Sequence, residues 1–139
     1  MNLNTKQILR LLPQRPPIVM VDAAQQDGDD CSAYLTITPD NWFVEDTHFL
    51  EAGIVEHQAQ SVAVCLGLSQ MAMSHNTRQM GFIAEVKNLC INRLPNVGET
   101  LVTAITYNTA VDSIILLQAT TMCNNELIAE SQLKIFLPS

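Results

Sequence analysis

Apolar positions follow helical spacing near the amino terminus. Ile8, Leu9, Leu11 and Leu12 recur behind Asn4, a residue type that caps helices, and Pro13 stops the run. Gln14-Arg15-Pro16-Pro17 is rigid and extended, and it feeds Ile18-Val19-Met20-Val21. That apolar run, closed by Asp22, predicts a short buried strand. A polar turn is expected over residues 25–30. Residues 31–38 alternate, with Ala33, Leu35 and Ile37 on one side and Tyr34 and Thr36 on the other, the period of a half-buried strand. Pro39-Asp40 then turns the chain.

Residues 53–75 form the one long helical candidate, with no Asp, Glu, Lys or Arg after Glu56. A helix without a charged face is wrapped by protein or lipid. The glutamines 58, 60 and 70 and the serines 61, 69 and 74 argue against lipid, so no membrane span is expected. Residues 81–89, 100–108, 114–123 and 127–137 are rich in Val, Ile, Leu and Thr and read as strands, with turns at 95–98, 110–113 and 124–125. The order is helix, two strands, a long buried helix and four strands. It predicts an α+β chain whose antiparallel sheet wraps one helix, a hotdog fold, as a single domain over residues 1–139.

A net charge of -7 excludes a general nucleic-acid binder. The cations are uneven: Lys6, Arg10 and Arg15 form a local basic patch, and none follows from Pro16 to Thr77. Cys31, Cys65, Cys90 and Cys123 lie too far apart for a metal knuckle or redox pair. Buried reduced thiols and no metal site are therefore expected. With no apolar segment behind Met1 to serve as a secretory signal, the expected compartment is the cytoplasm.

Residues 8–22, Ile8-Leu9-Arg10-Leu11-Leu12-Pro13-Gln14-Arg15-Pro16-Pro17-Ile18-Val19-Met20-Val21-Asp22, resemble the opening of the 3-hydroxyacyl-ACP dehydratases, ILxLLPHRPPFLLVD, with Gln14 where that family usually has His. Asn41-Trp42-Phe43-Val44-Glu45-Asp46-Thr47-His48-Phe49 is similar to the family's NxxFFxGHF, which places His48 at the catalytic histidine. Gly53-Ile54-Val55-Glu56-His57-Gln58-Ala59-Gln60 is similar to GVLxxEAxAQ, which places Glu56 at the catalytic carboxylate and Gln60 at the glutamine. Val86-Lys87-Asn88-Leu89 and residues 95–101 resemble the family's third strand and the turn after it. The link between Phe49 and the helix is several residues shorter than the family's. In this the chain is more similar to the divergent dehydratase-like proteins of aryl-polyene pigment clusters, some of which act as partner subunits.

The resemblance implies elimination of water from a 3-hydroxyacyl thioester to give a trans-2-enoyl thioester in fatty acid or aryl-polyene type synthesis. The substrate would ride on the phosphopantetheine of an acyl carrier protein, or on CoA, with no other cofactor. His48 would remove the C2 proton and Glu56 would protonate the departing hydroxyl. Backbone N–H groups near Gly53 and Ile54, unpaired at a helix start, suit the thioester oxygen, and Gly53 lets substrate come close. Gln60, one turn after Glu56, can hydrogen-bond it. The family's histidine and glutamate meet across a dimer interface, which implies a homodimer or higher oligomer, or a heterodimer with a similar subunit.

Blander roles stand beside these. Taken alone, His48 is a surface or capping residue and Glu56 serves the helix dipole. His57 points about 100° away from Glu56 and is structural or on the pocket rim. His75 caps the long helix, while Met71, Met73 and Cys65 fill the core or line an acyl tunnel. Lys6, Arg10 and Arg15 are a solvated face or a docking patch for an acidic carrier. Three functions remain open: a dehydratase, a thioesterase in which Glu56 activates water, and a noncatalytic subunit that stabilises an active partner.

Overall fold

The computed structural model describes residues 2–72 and 81–138. Strand β1 (Asn2–Leu3) precedes helix α1 (Thr5–Leu11). The helix starts at a reciprocal cap in which Asn4 Oδ1 accepts from the Gln7 N–H and Gln7 Oε1 accepts from the Asn4 N–H. Then come β2 (Ala23–Asp27), β3 (Asp30–Thr36), the two-residue strands β4 (Val44–Glu45) and β5 (His48–Phe49), and α2 (Glu51–Ala72). Four long strands complete the chain: β6 (Phe82–Ile91), β7 (Thr100–Val111), β8 (Ile114–Cys123) and β9 (Glu126–Phe136). The main sheet has seven strands in the order β1-β2-β3-β7-β8-β9-β6, every neighbouring pair antiparallel.

The sheet wraps α2, as a helix uncharged after Glu56 requires. Ile54, Val64, Cys65 and Leu68 of α2 are fully buried, as are Ala33, Leu101, Leu117 and Ala119 from the strands. The tight turn Asn124-Asn125 has positive φ at both residues, the geometry that matches a two-residue hairpin to the twist of its strands. Among the described residues, no helix is long and apolar enough to cross a membrane.

Two local expectations are overturned. Residues 18–21 form no strand, because their backbone groups are taken by side chains of α2. The Met20 N–H donates to Gln60 Oε1 at 2.6 Å, Gln60 Nε2 donates to the Ile18 carbonyl at 2.9 Å, and His57 Nδ1 meets the Met20 carbonyl at 2.7 Å. The polar turn expected over 25–30 shrinks to Gly28 and Asp29, because residues 23–27 pair with β3 as an outer strand that buries only Ala24. A polar sequence suffices there, since ladder hydrogen bonds rather than apolar burial hold it.

Of the four cysteines expected to be buried reduced thiols, only Cys123 is both buried and free; Cys90 is free but exposed, and Cys31 of β3 and Cys65 of α2 form a disulfide. Alternation in one element and helical period in the other bring the two sulfurs together across 34 residues, a contact that their spacing in sequence conceals. With it goes the thiol argument for compartment. Met71 is exposed rather than core, and Met73 and His75 lie outside the described residues.

At the sheet's outer edge, β6 is exposed over nine of its ten residues, with Phe82, Ile83, Val86 and Leu89 among them. A long apolar edge strand is a template for another strand.

Candidate active site

Glu56 lies in the second turn of α2, half-buried, and shares the Gln60 amide with the Ile18 carbonyl. The Met20 N–H can only donate, so the Gln60 atom it meets is the amide oxygen, and Gln60 Nε2 faces two acceptors. One is the Ile18 carbonyl and the other is Glu56 Oε1, at 2.8 Å. The expected Gln60–Glu56 bond is therefore present. It ties one carboxyl oxygen as an acceptor, and among the described residues no hydrogen bond reaches Oε2.

His57, the next residue, points into the protein and is fully buried. A directed chain of hydrogen bonds follows from its one forced partner. The Met20 carbonyl can only accept, so Nδ1 carries the proton and Nε2 accepts from the Thr103 hydroxyl at 2.8 Å. Thr103 then accepts from Thr121 at 2.6 Å, Thr121 accepts from Gln58 Nε2 at 2.9 Å, and Gln58 Oε1 accepts from Ser131 at 2.7 Å. Every member of the chain is buried. Desolvation pushes the His57 imidazole down to about 4, outweighing the Met20 bond that favours its charged form. His57 is therefore a neutral structural residue, one of the two roles expected for it.

His48 sits on β5, exposed, its Nδ1 3.5 Å from Thr47 Oγ1. It makes no hydrogen bond or ion pair with Glu56 within the chain. The structure thus groups Glu56 and Gln60 but leaves His48 apart.

Gly53 and Ile54 do not have the expected free amides. Both N–H groups donate to the Leu50 carbonyl, at 2.9 and 3.2 Å, because α2 begins two residues earlier than the spacing suggests. The missing side chain of Gly53 serves packing: a Cβ there would stand 2.5 Å from the Phe49 ring and 2.7 Å from Phe43 Cβ. Ile54 is a core side chain.

An apolar cleft of about 430 Å³ runs along the half-exposed face of α2, lined by Ala59, Ala63, Leu66 and Gly67 of the helix and by Leu11 and Phe82. Glu56 is one turn before Ala59 and Gln60 on that helix. Among the described residues no cluster suits a metal ion. Lys6, Arg10 and Arg15 are exposed, and Arg15 donates to the Leu12 and Gln14 carbonyls just past α1.

Sequence reasoning missed Thr103 and Thr121 as partners of His57. A signal existed: both fall on the inward phase of their strands, between Leu101 and Ile105 and between Ala119 and Cys123, where apolar residues are the rule.

One antiparallel sheet around a central helix, with a carboxyl near the start of that helix, defines a protein of the hotdog class. Within that class the chain belongs to the ApeP-like dehydratase family, whose model, described as ApeP dehydratase, matches residues 6–139. The dehydratase heterocomplex ApeI:P from Xenorhabdus doucetiae is similar in structure, with a TM-score of 0.82 and 14% identity over 95% of this chain and 91% of that one. A hypothetical thioesterase protein with coenzyme A from Streptococcus pneumoniae has a TM-score of 0.67 and 3% identity, covering 83% of each chain. The E. coli PaaI protein has a TM-score of 0.66 and 9% identity over 81% of this chain and 79% of that one. At these identities the solved structures show the shared fold. No curated protein matches the sequence significantly.

Proposed function

We propose that the chain dehydrates 3-hydroxyacyl thioesters carried on the phosphopantetheine of an acyl carrier protein, in a site completed by a second hotdog subunit. The observation that carries this reading is the Glu56 carboxyl, tied at Oε1 by Gln60 and, among the described residues, without a hydrogen-bond partner at Oε2, on the helix that forms one wall of an apolar cleft. His48 takes the C2 proton, the C2–C3 double bond forms, and the C3 hydroxyl leaves as water with the proton from Glu56. Proton return from His48 to Glu56 resets the pair. The cleft accepts the acyl chain.

Because His48 and Glu56 do not meet within one chain, each is read as pairing with its counterpart on another subunit. The edge strand β6, paired only with β9 and with Phe82, Ile83, Val86 and Leu89 exposed, is the edge along which two sheets would join. The second subunit is a copy of this chain or a similar hotdog protein. A second reading, a subunit that supports an active partner without turnover of its own, is favoured by the similar structure's being a heterocomplex.

The test is hydration of a trans-2-enoyl thioester, followed as loss of enoyl absorbance, with and without a hotdog partner. Active wild type, with losses of about 10²- to 10⁴-fold in His48→Ala and Glu56→Gln, is the expected result. Activity that appears only with the partner and survives both substitutions selects the supporting subunit. Thiol release without hydration selects the thioesterase.

A further inference from the structure

We infer that Arg93 and Glu99 are positioning residues for His48, acting through the loop of residues 95–97. The inference rests on the reading of His48 as the base. His48 makes no strong side-chain contact of its own, so the ring stands wherever the backbone of β5 puts it. That backbone is fixed by the loop on both sides of the histidine. The Val97 N–H donates to the Thr47 carbonyl and the Phe49 N–H donates to the Pro95 carbonyl, each at 2.9 Å, and His48 lies opposite Asn96 in an isolated antiparallel bridge. The strand on the other side of β5 is only Val44–Glu45.

The loop in turn is organised around one carboxylate. Glu99 Oε1 accepts from the Asn96 N–H at 2.7 Å and from Arg93 Nη1 at 3.0 Å. Glu99 Oε2 accepts from Arg93 Nη2 at 3.1 Å, from Asn124 Nδ2 at 3.0 Å and from the Cys123 thiol at 3.3 Å. The Arg93 fork is completed by Nε on Glu126, at 3.1 Å. A planar guanidinium engaging a carboxylate through two parallel bonds fixes orientation as well as distance, which a lysine cannot do. The Glu99 N–H also closes the turn onto the Asn96 carbonyl at 3.1 Å, and the Glu99 carbonyl accepts from the Ile37 N–H at 3.0 Å. Glu99 thus joins the end of β8, the residues after β3 and the loop that pairs with the strand of His48. Five donors around one carboxylate are more than a turn of this length needs for its own closure. The loop itself pairs with the histidine's strand.

The test replaces Arg93 by Met, which keeps the apolar stem and removes the fork, and, in a second variant, Glu99 by Gln, which keeps the shape and removes the charge. Amide hydrogen exchange is read at Phe49 and Val97, with Leu101 and Leu117 in the sheet as references. Positioning predicts exchange about tenfold or more faster at Phe49 and Val97 in either variant, with the sheet amides unchanged. In the active assembly, kcat should fall about tenfold with KM nearly unchanged, and Arg93→Met should add nothing in a His48→Ala background. Unchanged exchange at Phe49 and Val97, or an equal loss of kcat with His48 absent, overturns the inference. Should wild type be inert in every assembly, the dehydratase reading fails while the exchange measurement still decides the positioning.

Discussion

The two halves of the candidate site are held by opposite chemistry. Glu56 is oriented by Gln60 beside a buried, uncharged chain of hydrogen bonds from Ser131 to the Met20 carbonyl, with a neutral His57 as its last side chain. His48 is carried by an accessible corner in which an ion pair, Arg93 with Glu99, shapes the supporting loop. The carboxyl side needs a neutral wire because a charge inside the sheet has no counterion there. The histidine side has water beside it, so formal charges can be used. The acid support should therefore respond to pH and the base support to salt.

Breaking the wire should have the largest effect on stability. His57→Leu leaves the Met20 carbonyl and the Thr103 hydroxyl buried without their partner, at a cost of about 4 kcal/mol in urea unfolding. Unfolding energies within about 1 kcal/mol of wild type would show that water or a rearranged strand replaces the histidine.

The pH response comes next. The unfolded chain protonates His57 near its ordinary value of 6.5, while the folded chain resists down to about 4. Between those values the unfolded state binds more protons, so the neutral His57 contribution is complete above pH 6.5 and is lost as the pH falls toward 4, by about 3 kcal/mol. Urea midpoints across this range for wild type and His57→Asn measure it, and equal slopes in the two proteins would assign the loss to other groups. Glu99 blurs the comparison little, because the Arg93 guanidinium holds its carboxyl down to about 2 and its own loss begins only below the ordinary carboxylate range of about 4.5.

The smallest effect belongs to the corner. The Arg93 and Glu99 side chains retain 30% and 18% exposure, so solvent screens the pair and Arg93→Met should cost about 1 kcal/mol. That difference should shrink in molar salt, whereas the His57→Leu difference should not. A salt-independent Arg93 effect would mean that packing of its stem, rather than charge, holds the loop.

The candidates His48, Glu56 and Gln60 were legible in residues 41–60, because they are close in sequence and their likeness to a known family is local; of the contacts expected among them, the structure shows the Gln60–Glu56 bond. Their partners were not legible. Residues 18–21 look like a strand on hydrophobicity alone, yet Gln60 and His57 supply the donors and acceptor that a neighbouring strand would have given. Thr103 and Thr121 stand opposite each other only in the register that β7 and β8 adopt. Gly53 looked like an opening for substrate because the contact that requires it, the ring of Phe49, is set by the turn into α2.

By itself the sequence determined most of the elements and the wrapped helix, since these follow from whether a residue prefers water or apolar neighbours at a helical or strand period, and the likeness of its local motifs pointed to the family. Tertiary structure alone decided the disulfide between Cys31 and Cys65, the neutral state of His57, the occupied amides of Gly53 and Ile54, and the loop beneath His48. Hydrophobic preference is a property of one side chain and can be read along a chain. A hydrogen bond or a disulfide needs two groups within about 3 Å of each other, or closer, and which two meet is set by the register of strands far apart in sequence.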